Sequence, residues 1–161
     1  MLFRSRGAAF CADAYFLGDR DLSRAPSLAD AAQRAYRMAG IGDPSSEIDV
    51  AEVYDAFTYQ ELMWLEAMDL APDGEAGRLL EAGVFDLGGR LPVNPSGGLL
   101  AGHPVIAAGL IRIAEIVRQL RGEAGACQVA GARRGLAQGV NGLCGQSHCV
   151  WILESDANRK G

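Results

Sequence analysis

The sequence predicts an α/β layered fold. Short apolar segments of strand length alternate along the chain with segments whose apolar residues recur at helical spacing, which is typical of such folds. The 161 residues, 49% of them hydrophobic and 22% charged, are enough to bury the core of one globular domain. Neither an internal repeat nor a linker divides the chain, so we expect one domain over residues 1–161.

In the first part of the chain, the pattern predicts a strand, a helix and a second strand. Residues 7–17 are apolar and aromatic, and residues 48–53 alternate between apolar and polar side chains, as strands do. Ser27, followed three positions later by Asp30, resembles a capping box, and Gly40 is a typical helix C-cap. The buried face of this helix is expected to consist of Leu28, Ala31, Ala32, Ala35, Met38 and Ala39.

The rest of the chain is rich in glycine, since most of its 21 glycines lie after residue 73. A loop as long as residues 85–102 is more often functional than not. Pro104 suits the first turn of a helix that runs to Gly122, and the polar residues of that helix form only a thin stripe that includes Arg112. We predict the other elements as helices over residues 58–70 and 74–82 and strands over residues 126–130 and 148–153, with the glycine-rich residues 135–145 between the two strands.

Composition excludes several classes of function. The net charge of −5 argues against nucleic-acid binding, which depends on a clustered basic surface. Lys160 is the only lysine and lies one residue from the end, so a Schiff-base or phosphate-loop lysine is not expected. No apolar run reaches the ~20 residues of a membrane span, and no secretory signal is recognisable. We expect a cytoplasmic protein whose four cysteines are free and bind no metal.

Two residues are candidates for chemistry by position. His103 directly precedes Pro104, at the expected N-cap of the long helix, where the helix dipole would keep the imidazole neutral. It could then accept a proton or donate to a developing oxyanion, or it could simply cap the helix. Tyr54 lies at the carboxyl end of a strand, where α/β sheets place their ligands. It is either a hydrogen-bond donor beside His103 or a half-buried packing residue.

Cysteine offers a third candidate. Cys144 lies in the glycine-rich segment and could be an exposed, activated thiol. Cys149 lies in the last predicted strand, which favours a core position.

Four motifs in order, YDAFT, NPSGG, GHP and QLRGEAG, resemble the C-terminal half of the thiolase superfamily, most closely its sterol-carrier and lipid-transfer branch. The resemblance runs from about Ser27 to Glu154. It implies the C-terminal half only of a thiolase-like layered fold, with a mixed sheet and helices on both faces. In thiolases a strand and a helix precede the first strand found here, so we expect a gap in the sheet.

The resemblance also implies roles for individual residues. His103 matches the histidine that activates the acyl-accepting cysteine and helps to build an oxyanion hole, and Cys144 is a candidate base. Tyr54 belongs to the segment that reads NEAF or HDCF in thiolases, and we expect its hydroxyl to donate a hydrogen bond to an oxygen. Substrate-binding residues are expected to be Asn94, Gly97, Gly98 and Phe57.

Three departures from the thiolase pattern are visible. Ala56 replaces the cysteine of HDCF and cannot transfer a proton. Tyr54 resembles the related steroid side-chain aldolases, which however have a tyrosine where this chain has His103. Ile106 stands where thiolases usually have glycine, and we expect it to narrow the entrance to the helix.

The nucleophilic cysteine of thiolases lies in the N-terminal half, to which nothing in this chain corresponds. The resemblance therefore implies a subunit or fragment of an acyl-CoA enzyme that makes or cleaves a carbon–carbon bond beside a coenzyme A thioester. No permanently bound cofactor is expected. The partner would be a thiolase N-terminal-half chain or a homologous subunit in an oligomer. The alternatives are a non-catalytic module that scaffolds a complex or binds an acyl or lipid group, and a retro-aldol lyase subunit.

Overall fold

The centre of the fold is one mixed sheet of four strands, in the order β1-β4-β3-β2. A computed structural model describes residues 2–142 and 144–156. β4 runs antiparallel to β1 and β3, whereas β2 runs parallel to β3. The strands are β1 (Phe3–Ala12), β2 (Val50–Glu52), β3 (Arg134–Asn141) and β4 (Ser147–Ser155). The α-helices are α1 (Pro26–Ala39), α2 (Pro44–Glu47), α3 (Thr58–Ala67), α4 (Ala76–Glu81), α5 (Gly98–Ala101) and α6 (Ala108–Arg121).

Helices cover both faces of the sheet. On β3, Leu136 packs into a large apolar cluster that contains the inner faces of α1 and α3. Its neighbour Ala137 points the other way, into a smaller cluster with Ile116 and Leu120 of α6. Successive side chains of a strand alternate between faces, so each face of β3 carries its own apolar core. The predicted layered α/β fold is confirmed.

The first strand and helix form where the sequence predicts them, with shifted ends. β1 begins four residues before the predicted start and ends at Ala12, while Leu17 lies in a 3₁₀ turn. Ala25, not Ser27, is the N-cap of α1, because Pro26 occupies the first helical position that proline favours. Met38 is exposed rather than part of the inner face of α1.

The sheet shows no gap within the described residues. β1 pairs with β4 along most of its length, from Phe3 opposite Ser155 to Ala12 opposite Ser147. The expectation of a missing central strand is therefore wrong: β1 is an edge strand of this sheet and needs no strand between it and the rest.

The predicted strand over residues 126–130 is wrong, because the chain makes a 3₁₀ turn over Gly125–Cys127. A strand forms instead within the glycine-rich segment, where β3 lies. A Cβ atom at Gly135 would lie 2.5 Å from Cγ2 of Ile116, and the Cα atom of Gly109 lies 3.3 Å from the position of a Cβ on Gly139. These glycines let α6 pack closely on β3, and their turn-like composition hid the strand.

Three further regions bear on the site. Helices α3 and α4 confirm the predictions for residues 58–70 and 74–82, although both are shorter. The long loop contains the single-turn helix α5, and Val93 forms an isolated parallel bridge with Ala51 beside β2. α6 begins at Ala108, later than predicted, and Arg112 is buried rather than part of an exposed stripe.

Candidate functional site

Tyr54 and His103 meet where the chain leaves β2. Tyr54 follows the strand by two residues, and its hydroxyl lies 3.4 Å from Nε2 of His103. The two rings pack edge to face with centroids 5.9 Å apart. His103 is exposed and Tyr54 half-buried, so a ligand can reach both. The structure thus brings together two residues that are far apart in the sequence.

The backbone of Val105 determines which nitrogen of His103 carries the proton. The N–H of Val105 donates to Nδ1 at 3.0 Å, so Nδ1 must be unprotonated. The neutral imidazole then carries its proton on Nε2 and donates it towards the hydroxyl of Tyr54. Because the N–H of Val105 occupies Nδ1, His103 acts as a donor at Nε2. Val105 itself adopts a φ of 48°, which is rare for a β-branched residue.

His103 does not cap α6. The N-cap is Ala107, and a 3₁₀ turn over Val105–Ala107 separates the histidine from the helix. The prediction of an N-cap histidine is wrong, because the positive φ of Val105 turns the chain before α6 can begin. The Val105 N–H, rather than the helix dipole, sets the tautomer of the imidazole.

The segment before Tyr54 is held by two side-chain amides. Oε1 of Gln138 accepts from the backbone N–H of Tyr54 at 2.7 Å. Oδ1 of Asn94 accepts from the N–H of Val53, also at 2.7 Å. β2 ends at Glu52, so these amides continue the hydrogen bonding that the sheet no longer supplies.

Asn94 makes several hydrogen bonds within the protein. Its amide nitrogen donates to Glu61 at 3.2 Å, and its backbone N–H donates to the carbonyl of Ala51 at 2.8 Å. Its φ is 48°, a conformation that asparagine tolerates better than most residues. Burial raises the pKa of Glu61, and Asp55 adds to the effect. Asn94 thus fastens the loop to β2, while contact with a substrate stays a prediction.

The paired glycines make room for Asp55. A Cβ atom at Gly98 would lie 2.0 Å from a carboxylate oxygen of Asp55. Gly97 and Gly98 have φ values of 92° and 62°, which favour glycine. Asp55 is buried and accepts from the N–H of Leu99 at 2.6 Å. The motif that contains Tyr54 is thereby joined to the loop that leads to His103.

A buried ion pair lies beneath this loop. Oε2 of Glu52 lies 2.7 Å from Nη1 of Arg112 and accepts from the hydroxyl of Ser96 at 2.8 Å. The side chain of Glu52 is fully buried, and that of Arg112 is 3% exposed. Burial raises the pKa of Glu52 to about 7, against the opposing effects of Arg112 and Ser96. The pair connects β2, the loop and α6.

Residues 8–155 of the sequence match the family described as thiolase C-terminal domain-like. The chain belongs to this thiolase family. It is 42% identical over 127 residues to an acetyl-CoA acetyltransferase of Methanothermobacter thermautotrophicus, which covers 78% of the chain and 33% of that protein. It is 46% identical over 105 residues to sterol carrier protein 2 of Rattus norvegicus, which covers 65% of the chain and 19% of that protein.

Among solved structures, the chain is similar to the Ltp2-ChsH2(DUF35) aldolase. The TM-score is 0.81 at 30% sequence identity, and the match covers 94% of this chain and 39% of that one. The chain therefore spans well under half the length of the relatives it matches. The thiolase C-terminal fold is shown, and the activity of the longer relatives bears on this chain only as a proposal.

Cys144 is a candidate site residue of this thiolase domain in addition to Tyr54 and His103. It belongs to the turn between β3 and β4, whose carbonyls at Cys144 and Gly145 accept from Arg20 at 3.1 and 2.9 Å. It lines a cavity of about 170 Å³ with Trp64. In the described part of the chain, no hydrogen bond joins Cys144 to either site residue. Its role as a base stays a prediction.

Cys149 lies on β4 and is only half-buried, and burial raises the pKa of its thiol.

Phe57 and Ile106 are exposed, and each lies three positions after a residue of the pair. Phe57 is exposed and stacks on Tyr59 with centroids 6.0 Å apart, so it is accessible to a substrate, as its predicted role requires. Ile106 is 99% exposed. It narrows nothing within the described residues, because the turn before α6 directs its side chain outward.

Sequence reasoning missed the buried polar residues that build the site. Glu52 and Asp55 were available as acidic residues beside the tyrosine motif, and an acidic residue inside a short apolar strand signals a buried partner. Nothing in the pattern pointed to Arg112 or Gln138, whose partners lie far away in the sequence.

No group of three or more His, Cys, Asp or Glu side chains among residues 2–142 and 144–156 is arranged to hold a metal ion. All four cysteines are free thiols. None of the helices in this part of the chain is long and apolar enough to cross a membrane.

Proposed function

We propose that this thiolase domain supplies the hydrogen-bond donors of an active site that makes or cleaves a carbon–carbon bond beside a coenzyme A thioester. The observation that carries the proposal is the 3.4 Å contact between Tyr54 and a His103 imidazole whose Nδ1 is already occupied by Val105. With Nε2–H pointing at Tyr54, the tyrosine hydroxyl is free to donate its own proton to a substrate oxygen.

The proposed chemistry follows from where charge develops. When a nucleophile adds to a thioester carbonyl, or when a carbon–carbon bond breaks to leave a thioester enolate, negative charge accumulates on the carbonyl oxygen. The O–H of Tyr54, polarised by His103, would stabilise that charge. In this tautomer Nε2 carries a proton, so His103 would act as a donor to Tyr54 rather than accept the proton of a cysteine thiol.

The nucleophilic cysteine would come from a partner. Thiolases carry it in their N-terminal half, and this chain covers only 33% of the acetyltransferase it matches. Apolar side chains are exposed beside His103, with Ile106 at 99% and Val105 and Leu110 at 70% each. Such a patch is typical of a surface that another protein covers. We propose an oligomer with a thiolase N-terminal-half chain or a homologous subunit, acting on acyl-CoA with no permanently bound cofactor.

A second candidate is a retro-aldol lyase subunit. The TM-score of 0.81 to the Ltp2-ChsH2(DUF35) aldolase favours it. Tyr54 favours a lyase as well, because it resembles the tyrosine of the steroid side-chain aldolases. Ala56, which replaces the cysteine of HDCF, cannot act as an acid or base. The same donor pair would serve either reaction, since both place charge on a thioester carbonyl oxygen.

The test is to purify the chain from its native source, identify any partner by intact-complex mass spectrometry, and assay the complex with a 3-ketoacyl-CoA plus coenzyme A and with a 3-hydroxyacyl-CoA. Turnover of the first supports a thiolase, and turnover of the second supports a lyase. His103→Ala should lower activity by ~10²-fold or more, the usual cost of losing an oxyanion donor. Activity retained within about tenfold would reject the role of His103. A monomer without acyl-CoA binding would support a scaffold.

A further inference from the structure

A chain of buried hydrogen bonds runs from Tyr54 into the interior of the sheet. Gln138 of β3 accepts from the N–H of Tyr54 at 2.7 Å, and its other amide end lies 3.1 Å from Nδ1 of His148 on β4. Gln138 and His148 are each 1% exposed. Neither residue belongs to the motifs that carry the resemblance to thiolases, and neither makes a hydrogen bond to His103 within the described residues.

The backbone N–H of Tyr54, at one end of this series of hydrogen bonds, determines which atom carries the proton in each bond. The backbone of Tyr54 can only donate, so the amide oxygen of Gln138 must face Tyr54 and its NH₂ group must face His148. The NH₂ group can only donate in turn, so Nδ1 of His148 must be the acceptor. His148 is therefore neutral, with its proton on Nε2. That atom is buried and has no hydrogen-bond partner among residues 2–142 and 144–156.

His148 is itself held by packing. Its ring meets the indole of Trp64 edge to face, with centroids 4.8 Å apart, and burial lowers the pKa of His148 to about 4. A second proton on this imidazole would set two donors, Nδ1–H and the NH₂ group of Gln138, against each other. Gln138 could relieve the conflict only by turning its amide over, and Tyr54 would lose its acceptor.

We propose that Gln138 and His148 are positioning residues that hold Tyr54 in contact with His103. The inference deepens the proposed function, because it concerns the donor that the function requires. It does not depend on catalysis, since these positions and tautomers are properties of the isolated chain. Gln138 sets the backbone of Tyr54, and His148 sets the orientation of Gln138.

Three substitutions test the proposal. Gln138→Leu removes the acceptor for Tyr54. Gln138→Glu keeps an acceptor but loses the NH₂ donor once its buried carboxyl group is ionised, at a pH of about 9. At that pH His148 must move its proton from Nε2 to Nδ1 to supply a donor. Leu136→Val, on the same buried strand and without a side-chain hydrogen bond, is the matched control for a loss of packing.

The readout is NMR of the uniformly ¹⁵N-labelled chain, in which His103 and His148 supply the only two imidazoles and the amide of Tyr54 is also observed. Gln138→Leu should abolish the nuclear Overhauser contact between Tyr54 and His103 and should speed exchange of the Tyr54 amide by ~10-fold, as expected for one lost hydrogen bond. Gln138→Glu should retain the contact and, at a pH of about 9, show His148 protonated on Nδ1. Leu136→Val should leave both signals as in the wild type.

The proposal is overturned if Gln138→Leu keeps the Tyr54–His103 contact, or if Leu136→Val loses it equally. Should Gln138→Leu fail to fold, Gln138→Glu still decides, because an unchanged tautomer of His148 contradicts the assigned chain of protons. None of these results depends on turnover. A complex that is inactive while the NMR predictions hold would reject the proposed function and leave the positioning role intact.

Discussion

The carboxylate of Asp55 accepts a 2.6 Å hydrogen bond from the backbone N–H of Leu99, which ties the residue after Tyr54 to the helix that leads to His103. Asp55 belongs to the segment after β2, and Leu99 lies 44 positions later in α5. The contact is buried, so water cannot replace it. The geometry of the Tyr54–His103 pair thus depends on a hydrogen bond made by two other residues, one of which directly follows Tyr54 in the chain.

Gly98→Ala should break this arrangement. The new Cβ would lie 2.0 Å from a carboxylate oxygen of Asp55, at a φ of 62° that alanine rarely adopts. We expect the free energy of unfolding to fall by about 2–4 kcal/mol, the range for buried clashes combined with backbone strain. Urea denaturation measures it. Gly102→Ala in the same loop is the control, since a Cβ there meets nothing within 4 Å; an equal loss in both variants would contradict the argument.

Glu52 should make the protein less stable as the pH rises. Burial raises its pKa from 4.5 to about 7, so between these values the folded chain holds the proton more tightly than the unfolded chain. The contribution of Glu52 to the free energy of unfolding is complete below a pH of about 4.5 and is lost as the pH approaches 7. At about 1.4 kcal/mol for each tenfold difference in proton affinity, the change is on the order of 3 kcal/mol.

Glu52→Gln isolates this contribution, because glutamine does not titrate. Between pH 4.5 and pH 7, the urea midpoint of the wild type should fall relative to that of the variant. Arg112 and Glu115, the charged groups that also act on Glu52, are unchanged in the variant. A constant difference across this range would show that the carboxyl group does not titrate there.

His148 should act in the opposite direction. Burial lowers its pKa from 6.5 to about 4, so between these values the unfolded chain binds the proton more tightly. Its contribution to stability is complete above about 6.5 and is lost as the pH falls towards 4, again by an amount on the order of 3 kcal/mol. His148→Gln should flatten the acid side of the stability profile measured by thermal unfolding. Parallel wild-type and variant profiles would contradict the shifted pKa.

Tyr54→Phe should lower the activity of the assembled complex by ~10²-fold, because it removes the proposed donor to the substrate oxygen while retaining the ring. Tyr59→Phe is the matched control, since Tyr59 is exposed nearby and stacks on Phe57. Initial rates at saturating acyl-CoA separate the two. Comparable losses in both variants would mean that the effect comes from the surface rather than from the hydroxyl beside His103.

Much of the fold follows from local pattern. The helical spacing of Leu28, Ala31 and Ala35 predicts α1, and the alternation around Val50 predicts β2, because helices and strands each have their own side-chain period. The strand β3 could not be predicted this way. Gly135 and Gly139 read as loop residues by composition, yet they lie in a strand because α6 must approach closely there.

The sequence by itself determined the α/β class, the thiolase resemblance and the choice of Tyr54 and His103, since motifs and periodicity are local properties of the chain. Only the tertiary structure decided that Val105 makes His103 a donor, that Glu52 pairs with Arg112, and that Gln138 holds Tyr54. Each of these is a contact whose orientation depends on backbone turns and on partners that lie as far as 84 positions away. Hydrogen bonds require distances and directions that no linear spacing specifies.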